Sequence, residues 1–264
     1  MDKHSIRLKS LDPKQKICLI TSAFLGVKGC PDEFYLNPLL IMRGISELIV
    51  FTYPNDVARI RQIGIKNVVG IDPITLTNDK MGDWGETIQH SPTFYKNKKL
   101  LSIYLSKVYL LDYVFNNFEI CNALWVDSGW LSPNHLRFGI EDKNAFILRD
   151  ASDINRNIKQ LMVYDILFSV YPKWTKSQHH GIPIKSLIEY SGKLDLIDRI
   201  VGAAYIFCAK NKINFLLTEY NKWFSKLLLG HCLGSEESIL TIMAAKNMIK
   251  CHPRDFFDAM FFKR

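Results

Sequence analysis

The run Cys121-Asn-Ala-Leu-Trp-Val-Asp-Ser-Gly-Trp130 constrains this chain most, because an apolar segment stops abruptly there at a carboxylate followed by a small, permissive pair. Ala123, Leu124, Trp125 and Val126 do not alternate between apolar and polar. That is the pattern of a strand covered on both faces in a parallel or mixed sheet. Open α/β sheets bind ligands beyond the carboxyl ends of their strands, so Asp127 is expected at the rim of a site. Gly129 would let backbone approach a phosphate or a sugar closely. Asp-Ser-Gly is also an ordinary turn, since each residue type favours turns for its own reason, and the stretch alone leaves both readings open.

The segments before it alternate as crossover connections do. Lys16 to Ala23 reads as a first strand ending in the hydroxyls of Thr21 and Ser22, and residues 24–32, with Gly26, Gly29 and Pro31, as a loop. A helix is expected from Asn37 as its cap, with Pro38 at the first helical position, to about Ser46. Glu47 to Tyr53 follows as a second strand, a short helix runs from Pro54-Asn55 through Gln62, and Asn67 to Ile71 is a third strand. Strand, helix, strand, helix, strand is the order of a parallel sheet with crossover helices. Residues 74–96 are polar and without period, and read as a long excursion near the site. Leu101, Tyr104, Leu105, Val108, Leu111 and Val114 then recur at helical spacing over residues 98–116, giving an amphipathic helix that carries Ser106 and Lys107 and leads into the strand before Asp127.

Beyond Asp127 a short strand is expected at Ala145 to Leu148, a helix from Asp153 to about Val170, irregular chain from Tyr171 to Gly192, and a strand from Arg199 to Cys208. Two helices follow, Asn211 to Leu229 and Ser235 to Met248. An aromatic and basic tail begins at about residue 251, with Phe256, Phe257, Phe261 and Phe262 spaced to put rings on one helical face. The chain shows no internal repeat or flexible linker. The expectation is one domain over residues 1–264, of α/β class, with a mixed, mostly parallel sheet flanked by helices.

Composition narrows the partners. With 264 residues, 48% of them hydrophobic, the chain can bury a sizeable core. No run approaches the roughly 18 to 20 apolar residues of a membrane span, and Met1 to Lys16 is too charged for a secretory signal. A cytoplasmic protein is expected, free to sit peripherally on the inner face of the membrane. The six cysteines form no Cys-x-x-Cys pair and read as reduced core residues. A formal net charge of +8 favours anionic partners without choosing among them.

Five motifs fall in order along the chain: Thr21-Ser-Ala-Phe24, Ser106-Lys107, Trp125-Val-Asp-Ser-Gly129, Val201-Gly-Ala-Ala204 and Gly234-Ser-Glu-Glu-Ser-Ile-Leu240. Together they resemble the GT-A type of nucleotide-sugar glycosyltransferase, in particular the HtrL/YibB-like family. The resemblance implies a GT-A-like fold and transfer of a sugar from a nucleoside-diphosphate sugar, expected to be UDP-linked, to a glycan or glycolipid acceptor, as in bacterial surface polysaccharide synthesis. It implies that Asp127, with Ser128 and Gly129, takes the place of the family's Asp-x-Asp element, which binds metal and sugar. The element departs from that form at Gly129, where the second carboxylate is missing, so a divalent cation (Mn2+ or Mg2+) is implied with the strength of the dependence left open. His252 would add a late metal ligand. Lys107 would face the donor phosphates, Thr21, Ser22 and Ala23 would contact base or ribose, and Gly202, Ala203 and Ala204 would leave room for sugar or acceptor. Glu236 and Glu237 would contact sugar or acceptor, or act as base or nucleophile.

Plainer readings stand beside each of these. Lys107 could be a surface lysine laid along apolar neighbours, Glu236 and Glu237 could serve only the helix N-terminus, and Gly202 to Ala204 could be close-packed core. His179, His180 and His231 form no hydrolase constellation in the sequence. The nearest alternative activity is nucleotidyl transfer, kept alive by Gly26-Val-Lys-Gly29. A noncatalytic protein that binds an anionic surface would use the net charge and the Phe-rich tail. The Gly-x-Gly-x-x-Gly of dinucleotide enzymes is absent after the first strand, and no nucleic-acid partner is expected.

Overall fold

The computed structural model describes residues 17–27, 29, 31–82, 84, 97–128, 146–160, 165–170, 177–179, 182–192, 200–230, 232–246, 250–253 and 261–263. Strand β1 (Ile17–Ser22) is followed by α1 (Glu33–Ile45), β2 (Leu48–Thr52), α2 (Val57–Gln62), β3 (Asn67–Gly70), α3 (Pro73–Met81), α4 (Lys98–Asn117) and β4 (Asn122–Val126). Then come β5 (Phe146–Leu148), α5 (Ala151–Gln160), β6 (Ile166–Val170), the two-residue strands β7 (Gln178–His179) and β8 (Ile182–Pro183), and α6 (Ile184–Ser191). The series closes with β9 (Val201–Ala209), α7 (Ile213–Leu229), α8 (Glu236–Ala245), β10 (Lys250–Pro253) and β11 (Phe261–Lys263).

Seven strands form one sheet in the order β10-β6-β9-β4-β1-β2-β3. All neighbouring pairs are parallel except those of β9, which runs antiparallel to both β4 and β6. This is the expected mixed, mostly parallel sheet of a Rossmann-like α/β fold. After β1 the chain lays down β2 and β3 on one side, then returns to place β4 on the other. The order therefore reverses between β1 and β4, the switch point at whose carboxyl edge open α/β sheets place their ligand crevice.

Strand residues of both parities are apolar because both faces are covered. Cys18 and Ile20, Ile49 and Phe51, and Ala123 and Trp125 pack in one core with α4, α7 and α8. Leu19, Val50, Leu124 and Val126 pack in a second core with α1, α2 and α5. Gly70 is required by a close approach, since a Cβ there would lie 2.9 Å from the Cα of Pro54. Cys18, Cys121, Cys208 and Cys232 are free thiols. None of the described helices is long and apolar enough to cross a membrane.

Several boundaries differ from expectation. Helix α1 starts at Glu33, so Asn37 is not its cap and Pro38 lies inside it. Tyr35, Leu39 and Met42 are buried at i, i+4 and i+7, and adding Tyr35 to that stripe outweighs the hydrogen bond that Pro38 cannot donate. Part of the supposed excursion is α3, capped by Asp72, whose carboxylate accepts from the N–H groups of Ile74 and Thr75, and closed by Gly82 at φ 72°. The helix expected to run to Val170 ends at Gln160, and Asp150, not Asp153, accepts at its start. Ile166–Val170 is instead a strand with all five residues buried, as suits branched and aromatic side chains inside a sheet.

The stretch expected to be irregular up to Gly192 contains the β7–β8 pair and α6. In the tail, β10 adds to the sheet edge beside β6, and Phe261 and Phe262 belong to β11, which pairs antiparallel with β5. A helical stripe of four rings is thereby replaced, at Phe261 and Phe262, by strand pairing. Phe256 and Phe257 lie outside the described residues.

Candidate functional site

The switch point between β1 and β4 is laced by the residues just past each strand. The Ser128 hydroxyl donates to the carbonyl of Ser22 (2.9 Å), and the Asp127 N–H donates to the carbonyl of Ala204 (2.9 Å). The Ala23 N–H donates to the carbonyl of Phe51 (2.8 Å), while the Thr52 hydroxyl donates to the carbonyl of Ala23 (2.7 Å). The start of the loop after β4 is thus fixed against both neighbouring strands. Ser22 is partly exposed, whereas Thr21 is fully buried and its hydroxyl has no hydrogen-bond partner among the described residues.

Behind the switch point lies a buried ion network. Lys107 is only 2% exposed, which excludes the surface reading of this residue. Its ammonium donates to Asp127 Oδ2 (2.9 Å), to the carbonyl of Ala203 (3.0 Å) and to Glu236 Oε1 (2.7 Å). Three acceptors for three protons saturate it, so it reaches a phosphate only by releasing one of them. Trp125, on the same strand face as Asp127 at i, i+2, donates its indole N–H to Asp127 Oδ1 (2.6 Å). Asp127 is the member of the network that meets solvent, with its side chain 27% exposed against 3% for Lys107 and 2% for Glu236.

The carboxylates of α8 serve the backbone of β9. That strand's first residues lack a regular ladder, because pairing with β4 stops at Tyr205 and pairing with β6 is irregular between Phe168 and Val170. Side chains supply the missing bonds. Glu237 Oε1 accepts from the Ala203 N–H (2.8 Å), the Thr241 hydroxyl accepts from the Val201 N–H (2.9 Å), and the Ser169 hydroxyl donates to the carbonyl of Gly202. Glu237 Oε2 lies 3.1 Å from His179 Nε2, which ties the β7–β8 pair to the same helix. Ser235 caps α8 by accepting from the Glu237 N–H. Ala203 and Ala204 are therefore buried and held from both sides, with Gly202 bonded beside them.

Burial and pairing oppose each other here. Burial alone would lower the Lys107 ammonium, but Asp127 and Glu236 together hold it above its ordinary range. For Glu236 burial wins: desolvation lifts the carboxyl above its ordinary range, Lys107 opposes, and Glu237 and Asp127 add to the rise. The native state then binds a proton at Glu236 more readily than the unfolded chain, whose value is about 4.3. The Glu236 contribution to stability is fullest below that value and is lost as pH rises through the higher native one. In urea unfolding, the stability of Glu236→Gln relative to the parent should rise from about pH 4 toward neutrality. A constant difference would mean that Glu236 is not shifted.

Asp127, Lys107, Glu236 and Ala203 are thus brought together, with Glu237 one contact away; Ser22 is partly exposed beside them, while Ala23 and Ser128 are buried. Gly129 lies outside the described residues. His252 stands in β10, three strands from β4 in the sheet order. Among the described residues there is no group of three or more His, Cys, Asp or Glu that could hold a metal ion. Sequence reasoning missed Trp125, His179 and Thr241 as members of this network. The i, i+4 spacing of Glu237 and Thr241 was a usable signal, while nothing local ties His179 to Glu237.

The fold and this network define a Rossmann-like α/β protein with a buried ion network at the carboxyl edge of its sheet, beside the switch point. No protein-family model matches the sequence, and no curated protein is similar enough to match it.

Proposed function

We propose that the protein is a glycosyltransferase of GT-A type, close to the HtrL/YibB-like family, which transfers a sugar from a UDP-linked donor to a glycan or glycolipid acceptor at the inner face of the membrane. The observation that carries this reading is Asp127: it stands at the switch point of the sheet, oriented by Lys107 and Trp125, and is still open to solvent. Ligand binding at such a point is the rule for open α/β sheets. The five ordered motifs support the narrower class.

In this reading Asp127 touches the donor sugar and the partly exposed Ser22 faces the approach of the nucleotide, while the buried Ala23 and Ser128 hold the strand ends behind it. Lys107 and Glu236 are positioning residues that hold Asp127, and Glu237 holds Ala203 against Lys107. The departing diphosphate gains negative charge, which a divalent cation commonly offsets in such transfers. The described residues fit a cation poorly, because Asp127 is a single carboxylate already paired with an ammonium, and no step is assigned to a metal.

A thermal-shift screen tests the proposal, using nucleoside-diphosphate sugars, nucleoside diphosphates and nucleoside triphosphates, each with and without Mn2+ or Mg2+. A UDP-sugar should raise the melting temperature, and Asp127→Asn should keep the fold while lowering transfer about a hundredfold or more. Stabilisation by triphosphates alone would favour nucleotidyl transfer. Silence toward every nucleotide, with binding only to anionic surfaces, would favour a noncatalytic binder. Full activity in Asp127→Asn would remove Asp127 from the site.

A further inference from the structure

The outward face of α7 carries an unusual combination of side chains. Phe215, Lys222, Lys226 and Leu229 recur at i, i+7, i+11 and i+14, which brings them onto one face of a helix. Leu229 is 81% exposed and Phe215 41%, values that belong to no core position. Between them, three ammoniums crowd one aromatic ring: Lys226 lies 4.7 Å, Lys246 5.2 Å and Lys222 5.9 Å from the centroid of Trp223. Only Lys222 has a carboxylate partner among the described residues, Glu219, one helical turn away. Lys226 and Lys246 are exposed and face no carboxylate among those residues.

Attraction to the ring face holds each ammonium in place, but it brings like charges well within a Debye length of one another. An anionic partner relieves that repulsion. The flanking Leu229 and Phe215 indicate what kind of anion, because exposed apolar side chains gain nothing from a solvated phosphate or a soluble polyanion. They gain from insertion into an acyl boundary. Lysines beside protruding apolar groups are the pattern of a helix lying on an anionic bilayer, and the net charge of +8 adds long-range attraction of the same sign.

We propose that the outer face of α7, with Lys246 from the end of α8, docks the protein on an anionic lipid surface. The proposal rests on α7 and Lys246 alone and does not depend on the catalytic reading. Leu229 is joined through residues 230–234 to Ser235, the cap of α8 beside the ion network. Docking would therefore hold the connection next to the candidate site close to the bilayer.

The test is sedimentation of the full chain with vesicles of pure phosphatidylcholine and with vesicles that also contain phosphatidylserine. The parent should partition onto the second kind only, and high salt should weaken the binding. Lys222→Gln, Lys226→Gln and Lys246→Gln combined should lower partitioning about a hundredfold, from three contributions of about 1 kcal/mol each. Leu229→Ser, which keeps every charge, should lower it about tenfold. Leu229 is largely exposed, so its variant keeps the parent's melting temperature and remains decisive if the triple variant is destabilised. No sedimentation of the parent at low salt overturns the proposal. Parent-like binding by Leu229→Ser also overturns it, and would mean that a polyanion, and not a bilayer, is the partner.

Discussion

Lys107→Met should lower the unfolding free energy by about 3–5 kcal/mol, the usual effect of removing one partner from a buried ion pair. Methionine nearly fills the volume of the lysine stem, so the loss is not mainly one of packing. It arises because Asp127 and Glu236 remain beside each other without their shared cation, and because the carbonyl of Ala203 loses its donor. Burial already lifts Glu236, so the variant should protonate that carboxyl and regain part of the loss in acid. Adding Glu236→Gln to Lys107→Met should restore more stability than Glu236→Gln changes in the parent, a coupling that a double-mutant cycle reads directly. Strictly additive effects in urea unfolding would show that the two side chains do not share a charge network.

Glu237→Ala should cost about 2–4 kcal/mol, because the buried Ala203 N–H loses its acceptor and His179 loses the carboxylate beside it, each such loss being worth about 1–3 kcal/mol. Glu237→Gln separates charge from geometry. Its carbonyl oxygen can still accept from Ala203, so most of the stability should return if the bond to the strand is what matters. If Gln is as damaging as Ala, His179 requires the second acceptor oxygen that Gln, with its amide NH2 turned toward the ring, cannot supply. Unfolding midpoints in urea decide between the two, with far-ultraviolet circular dichroism showing that both variants keep the sheet.

The alternation of apolar runs and helical stripes was enough to order the strands β1 to β4 and the helix α4, though not α3, whose stretch read as an irregular excursion. Ile17–Ser22 and Leu48–Thr52 are covered on both faces, so their composition alone marks them; the edge strand Asn67–Gly70, in which only Val68 is buried, is marked by its paired valines, and the twenty-residue α4 shows its period plainly. Failure came where one signal competed with another. Pro38 looked like a helix start, but the burial of Tyr35 extends α1 back past it. Ile166–Val170 follows a helical stretch closely enough to be read as its continuation, and only its place between β9 and β10 makes it a strand. Phe261 and Phe262 suggested a helical face because spacing carries no information about the distant strand with which they pair.

The carboxylate at Asp127 was legible from residues 121–130 because a strand that ends in a polar residue must end at an edge of its sheet, and local order is enough to say so. The sequence also determined that α4 and α8 would carry Lys107, Glu236 and Glu237, since helix period and capping act over a few residues. Only the tertiary structure decided what those groups do. Lys107 lies 20 residues from Asp127, 96 from Ala203 and 129 from Glu236, and their meeting depends on β9 entering the sheet antiparallel beside β4. The same placement sets the burial that lifts Glu236 and leaves the first residues of β9 in need of side-chain partners. Electrostatic strength in a protein depends on depth and separation, and neither quantity exists until the chain has packed.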